Sequence, residues 1–246
     1  MLVDLLAHFD WKRPIYFTQA FSLEELGLQN YLQQDGFLYR LVPIVTTSDD
    51  FLIKGRVDRE YLYDKLMNQY SYGNLSDPDV YADYTVHTNV YSTYVRLQFA
   101  RLANELIAVG DTARAIEVLD TAVEKVPFSQ IRHNYLTRYI VESYYNAGAF
   151  DKGNAILEDY AKILEEYMDY YLQFKGKYRE VIFTQLNDKY SDLYNLYILA
   201  RAYQQQDQTG AIETFFRKHG LIEEKSEPVE EQQSVPAGEQ KDSAEV

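Results

Sequence analysis

There is no cysteine in the 246 residues. That absence removes disulfides, thiolate metal ligands and a thiol nucleophile together, along with any lipid anchor attached through an N-terminal cysteine. It leaves the redox compartment open. Long apolar runs are missing too: no stretch approaches the roughly 18 consecutive apolar residues of a membrane helix. Positive charge is scarce, with 24 Lys and Arg against 38 Asp and Glu and a net charge of −14. An acidic body without a basic stripe repels phosphate backbones, which argues against nucleic acid as a partner. The first residues lack the basic segment of a secretory signal. Leu2, Leu5, Leu6 and Phe9 fall instead on one face of an amphipathic helix, so we expect a domain cut from something larger.

Catalytic signatures are equally sparse. His8, His87, His133 and His219 are scattered, and none stands at metal-ligand spacing from another. Asp77, Asp79 and Asp83 have some of the spacing of a calcium loop, but the central glycine is missing and Thr88 stands where the closing glutamate belongs. No glycine-rich phosphate loop or nucleophile elbow occurs. We therefore expect no metal, no cofactor and no catalytic residue, and a chain that binds rather than catalyses.

What is abundant is tyrosine, 24 residues. Its ring supplies apolar area and its hydroxyl a hydrogen bond, which suits half-buried grooves as well as helix packing. Charge is also unevenly placed. Residues 223–246 hold eight acids against Lys225 and Lys241, leaving −8 for residues 1–222. This tail is rich in Glu, Gln, Ser and Pro and too poor in apolar residues to offset the entropy of folding, so it reads as disordered.

The pattern divides the rest in two. Residues 1–57 read as a small α/β module. Pro14 to Thr18 is β-prone, and Ser22 with Glu25 forms a capping box that opens a short helix ending near Gly27. Tyr31–Gln34 and Phe37–Ile44 flank Asp35-Gly36, a favoured hairpin turn, and Asp49-Asp50 and Gly55 punctuate a further extended piece. Residues 58–222 read as helical, from Val57 to Tyr70, then a loop over 74–79 in which Asp77-Pro78 can start a helix, then Tyr91 to Val109 and Thr112 to Val126.

An internal repeat organises these helices. Numbering a tetratricopeptide unit from Arg96 puts large residues where its two helices meet: Phe99, Leu102, Leu106 and Leu119 at places 4, 7, 11 and 24. Small residues fall where backbones approach, Ala103, Ala115 and Ala122 at places 8, 20 and 27, and Pro127 at place 32 ends the second helix. A unit from Asn134 keeps Tyr144, Gly153 and Leu157 but carries Val141 and Tyr160 at small-residue places. A third from about Asp192 keeps Ile198, Ala211 and Phe215. Between them, Glu166 to Tyr190 is tyrosine-rich and helical with a break near Gly176, either a divergent unit or an inserted hairpin. The predicted fold is mainly α, a tetratricopeptide-like helical repeat array behind a small N-terminal α/β module; a generic helical bundle is the alternative for the later units.

Such arrays bind through the concave face, lined by the first helix of each hairpin. In the second unit the inward places are Tyr135, Arg138, Tyr139, Glu142, Tyr145 and Asn146. The first unit adds Arg101 and Asn104, and the third Tyr197 and Tyr203. Rings beside a guanidinium suit an extended peptide or a glycan. Packing between helices is the competing use of the same tyrosines.

Three segments together carry a resemblance: Leu5 to Phe17, with Trp11-Lys-Arg-Pro-Ile-Tyr-Phe17 its most specific part, Tyr31 to Ile44, and the Phe99-Ala-Arg-Leu-Ala103 repeat. The chain resembles the soluble C-terminal region of a multi-spanning membrane protein family abundant in Bacteroidota and related to transmembrane protein O-mannosyltransferases. The resemblance implies a membrane-embedded parent with a glycosyltransferase fold upstream and places this piece on the extracytoplasmic, periplasmic face. No catalytic residue carries over, because the family's acid sits in membrane-proximal loops absent here. The function expected is a scaffold that holds a polypeptide acceptor or a partner subunit. The alternative is a free-standing glycan-binding repeat protein of a carbohydrate uptake system.

Overall fold

The computed structural model describes residues 2–222 apart from 19–22, 24, 47–54, 86, 88 and 89, with side chains described from Asp4 on. The tail at 223–246, Ser22 of the capping box and Asp49-Asp50 lie outside the described residues. The chain is mainly helical with a small four-stranded sheet near its N-terminus, as the sequence predicts.

After a short helix α1 (Leu2–Ala7), the strands β1 (Tyr16–Phe17), β2 (Leu32–Asp35), β3 (Leu38–Leu41) and β4 (Arg56–Val57) form the sheet in the order β1-β3-β2-β4. β3 runs antiparallel to both β1 and β2, and β4 lies parallel to β2. The hairpin turn sits one residue later than predicted. Asp35 pairs with Leu38 as the last rung of the ladder, and Gly36-Phe37 make the loop. The positive φ falls on Gly36, where only glycine is unstrained, and Tyr70 closes over it with its ring stacked on Phe37 at 4.7 Å.

All four β2 residues are buried although three are polar. Buried amides are tolerated only when hydrogen-bonded, and here Arg101, on the helix that spans Leu97–Ile107, supplies a partner. Arg101 Nη1 donates to Gln34 Oε1 at 2.7 Å and Nη2 to the Gly55 carbonyl at 2.9 Å. Gln33 accepts from Arg56 and donates to Asp35. One buried guanidinium thus fastens the sheet to the helical body.

The helices begin with α2 (Arg59–Asp64), capped by the Asp58 carboxylate on the Tyr61 N–H and continued by a wide turn over Lys65–Gln69. No helix starts at Asp77-Pro78. The Asp77 side chain and carbonyl accept from the Asp79 and Val80 N–H groups, a local turn that competes with a helical start. Wide turns over Tyr91–Arg96 lead into α3 (Leu97–Ile107), which pairs with α4 (Thr112–Lys125). Phe99, Leu102, Ala103, Leu106, Ala115, Leu119 and Ala122 are all at most 1% exposed, so the large and small places meet as the spacing requires. A second hairpin joins α5 (Thr137–Asn146) to α6 (Phe150–Leu172); short α7 (Lys177–Val181) follows, and α8 (Phe183–Ala202) pairs with α9 (Gln206–Lys218). α3 packs on α5, and α6 on α8.

Among the described residues the apolar side chains gather in two large cores and a small cluster of Leu23, Leu32 and Tyr39. One large core joins Leu62 of α2 and Leu66 of the wide turn after it to the first hairpin and to Ile140 and Tyr144 of α5. The other gathers Tyr145, Leu157, Leu164, Leu196 and Phe216 from the last two hairpins. The stretch 166–190 is the far end of α6, then α7 and the first turns of α8, broken where Gly176 takes φ +57°. Among the described residues no helix is long and apolar enough to cross a membrane.

Gly153 and Gly210 separate packing from propensity. A Cβ at Gly153 would lie 2.5 Å from the buried Tyr145 ring, whereas one at Gly210 meets nothing within 4 Å. Gly210→Ala should stabilise by about 0.5–1 kcal/mol through helix propensity. Gly153→Ala should destabilise by about 1 kcal/mol or more, because overpacking outweighs that gain. Urea unfolding of the two variants checks the opposite signs.

Candidate binding cleft

The connector between the first two hairpins, residues 127–136, is held by Arg96, by Gln130 donating to the Asp77 carbonyl at 3.3 Å and by Asn134 donating to the Ser92 hydroxyl at 2.8 Å. Arg96, 3% exposed, donates from Nε and Nη2 to the Val126 carbonyl at 3.0 and 2.8 Å, and from Nη2 to the Ile131 carbonyl. Burial pushes its pKa down to about 9, which leaves it cationic at neutral pH. The guanidinium lies 3.9 Å from the centroid of the Phe128 ring.

A stack continues outward from that contact. Phe128 and His133 lie face to face, 3.9 Å between centroids and 3° between planes, and Tyr160 of α6 covers the other side of His133 at 5.0 Å and 10°. His133 Nε2 bonds Asp159 Oδ2 at 2.9 Å, which assigns the proton of the neutral ring to that nitrogen. Its Nδ1 is buried with no hydrogen-bond partner. The Tyr160 hydroxyl donates to Asp192 Oδ2 on α8 at 2.7 Å, and burial raises the pKa of both groups. Four elements therefore meet at one line of rings and carboxylates.

Above this line opens a cleft of ≈ 1310 Å³ between the connector, the middle of α6, the middle of α8 and the loop at Tyr84-Thr85. Tyr84, Tyr135, Tyr167 and Tyr170 expose their rings along it. Asp159, Glu166, Asp188 and Asp192 face Arg132 and Lys189, so the lining carries an excess of negative charge. Each of those two cations already lies over a ring, Arg132 over Tyr84 at 5.4 Å and Lys189 over Tyr167 at 5.4 Å. The walls thus offer aromatic faces and carboxylate acceptors side by side. Among the described residues no group of three or more His, Asp or Glu could hold a metal ion.

The predicted binding residues divide between several places. Tyr135, 49% exposed, lines the cleft. Arg138 lies over the Tyr139 ring and donates to its hydroxyl at 3.1 Å, and Tyr139 itself is buried in the first core. Glu142 is half-buried on α5. Tyr145 is buried in the second core, where its hydroxyl donates to Asn154 and its ring meets Tyr203 at 5.1 Å; the Tyr203 hydroxyl in turn donates to Asn146. Tyr197 donates to Glu213 at 2.8 Å. Arg101 is buried against the sheet, and Asn104 is half-buried on the same helix. The structure brings Tyr145, Asn146 and Tyr203 together and sets Tyr135 apart from them, at the cleft. The cleft's other residues come from the connector, the second helix of the second hairpin, the first half of α8 and the loop at Tyr84-Thr85, mostly positions outside the inward places of the repeat. Their visible signal is the length of the connector and its Phe128, His133 and Tyr135.

A family model described as TMEM260-associated domain 2 matches residues 1–61, the part that holds the sheet and the Trp11–Phe17 segment. The match links the chain to TMEM260-like membrane proteins. No curated protein and no solved structure matches the chain. The cleft lies wholly beyond the matched residues.

His133 gives the cleft wall a measurable pH signature. Its side chain is 2% exposed, and burial pushes its pKa down to about 4 from an ordinary 6.5, against an opposing pull from Asp159. The unfolded chain therefore takes up the proton first as pH falls. Stability from this group is complete above about pH 6.5 and is lost between there and about pH 4, roughly 3 kcal/mol in all. His133→Phe keeps the stack and removes the titration. Chemical denaturation at a series of pH values should show the native slope in that window and a shallower one in the variant.

Proposed function

We propose that this chain is a non-catalytic, tetratricopeptide-type binding domain of a membrane glycosyltransferase-like protein, on the extracytoplasmic side. Its cleft holds an extended polypeptide segment, from an acceptor protein or a partner subunit. One observation carries the reading: an open trough walled by tyrosine faces and an excess of carboxylates, built by a connector that a buried arginine holds in place. Rings of this kind accept cations, as Arg132 and Lys189 already illustrate, so Lys- and Arg-containing segments are the preferred cargo. The membrane parent is supported by the family match over residues 1–61.

The same walls offer a second occupant. Exposed tyrosine faces beside carboxylates also suit an oligosaccharide, the occupant expected of a free-standing glycan-binding protein. Competition separates the two readings. Fluorescence anisotropy with labelled basic and acidic peptides of equal length should show binding of the basic peptide alone. Tyr135→Ala with Tyr167→Ala, both partly exposed, should weaken it by about tenfold or more, the scale of lost aromatic anchors. Undiminished binding by the double variant would remove the cleft from the proposal. Binding of oligosaccharides with no peptide binding would favour the second reading.

A further inference from the structure

The far end of α6, α7 and the start of α8 form an arm with no core of its own. Met168 is the last buried residue on α6 and Leu193 the first on α8; none of the 24 residues between them is buried. Leu186 and Tyr190 still pack against the second core, and Phe183 precedes Leu186 by three residues on one continuous helix, so the tip stands about 5 Å beyond the last core contact at the helical rise.

The chemistry of the tip is unlike that of the body. Lys175, Lys177 and Arg179 stand against Glu180 alone in residues 175–183, a basic knob on a chain whose net charge is −14. Among the described residues none of the three cations is in an ion pair. Interleaved with them are Tyr178, Val181 and Phe183, which are 60%, 76% and 64% exposed. Gly176, Arg179, Glu180 and Phe183 outline a shallow notch between cation and ring.

We propose that this tip docks on an anionic lipid surface. The cations meet headgroup phosphates, Tyr178 sits at the polar boundary, and Val181 and Phe183 enter the acyl region. Charge complementarity selects the occupant. At physiological salt a Debye length of about 8 Å weakens the repulsion from acidic groups further back on the body. A convex knob with a few apolar side chains suits a deformable bilayer better than a flat protein face, which would need a larger contact to be stable. The inference is independent of the cleft and of what the cleft holds.

Vesicle co-sedimentation of the full 246-residue chain tests it. The probes are vesicles of phosphatidylcholine alone and of phosphatidylcholine mixed with phosphatidylserine. The native chain should sediment with the phosphatidylserine vesicles and far less with phosphatidylcholine, and added salt should release it. Replacing Lys175, Lys177 and Arg179 by Gln should weaken binding by roughly fivefold per cation removed. Val181→Ser with Phe183→Ser should weaken it as well, and the exposed positions leave the melting temperature unchanged in both variants. No sedimentation with phosphatidylserine vesicles overturns the proposal, as does binding that either variant retains in full. A self-associated chain that Phe183→Ser converts to monomer, without vesicle binding by the native form, would make the tip a contact between copies and likewise overturn it.

Discussion

A buried guanidinium, that of Arg96, fixes the part of the molecule on which the cleft depends. Helical hairpins in series are joined by connectors whose carbonyls and amides have no helical partner, and such groups are costly to bury unsatisfied. The connector 127–136 resolves this by turning the Val126 and Ile131 carbonyls onto one fork of donors. An arginine serves where a lysine would not, because its planar donors reach two carbonyls while its face stays free to stack. Phe128 takes that face, His133 lies on Phe128, and Tyr160 of the next hairpin lies on His133. From there a hydroxyl reaches Asp192 on α8. A single chain of contacts thus runs from the first hairpin to the third, and the cleft opens over it.

Arg101, five residues further along the same stretch of chain, performs the matching task on the other side. Its donors satisfy Gln34 and the Gly55 carbonyl and hold the four-stranded sheet against α3. The region matched by the TMEM260-associated family model and the region that carries the cleft are therefore tied through one short helical segment containing both arginines. Neither pin is a surface salt bridge, whose worth would be small and salt-sensitive. Both are buried and hydrogen-bonded, so their loss leaves stranded polar groups rather than exposed ones. The far arm contrasts with this: it lacks a core, and its basic, apolar tip is turned outward.

How legible was this in the amino-acid order? The first hairpin was readable because helix crossings impose side-chain size at fixed local spacing, and Phe99, Ala103, Ala115 and Leu119 obey it. The β2–β3 hairpin was readable to within one residue, since the choice between Asp35 and Gly36 for the first loop position is settled by the positive φ. The two arginines were not, because their partners lie far away in sequence and a basic residue on a helix reads as solvated. The inward-face rule named Tyr135, which lines the cleft, together with Tyr139, Tyr145 and Arg101, which are buried. Aromatic and charged residues have no single periodic signature that separates a groove from a packing contact. The stretch around Gly176 shows the same limit: its helicity and its break were legible, whereas the use of α6 and α8 as the two sides of an arm depends on where the core stops.

Hydrogen exchange at the connector amides tests the central dependence most directly. In the native protein, residues 128–136 should be protected well above the exposed loop at 79–85, because the stack and the fork hold them. In Arg96→Lys, which keeps the charge and removes the fork, protection should fall selectively over 128–136 while the middle of α4 stays protected. A variant whose connector keeps its native protection would contradict the dependence of the cleft on Arg96.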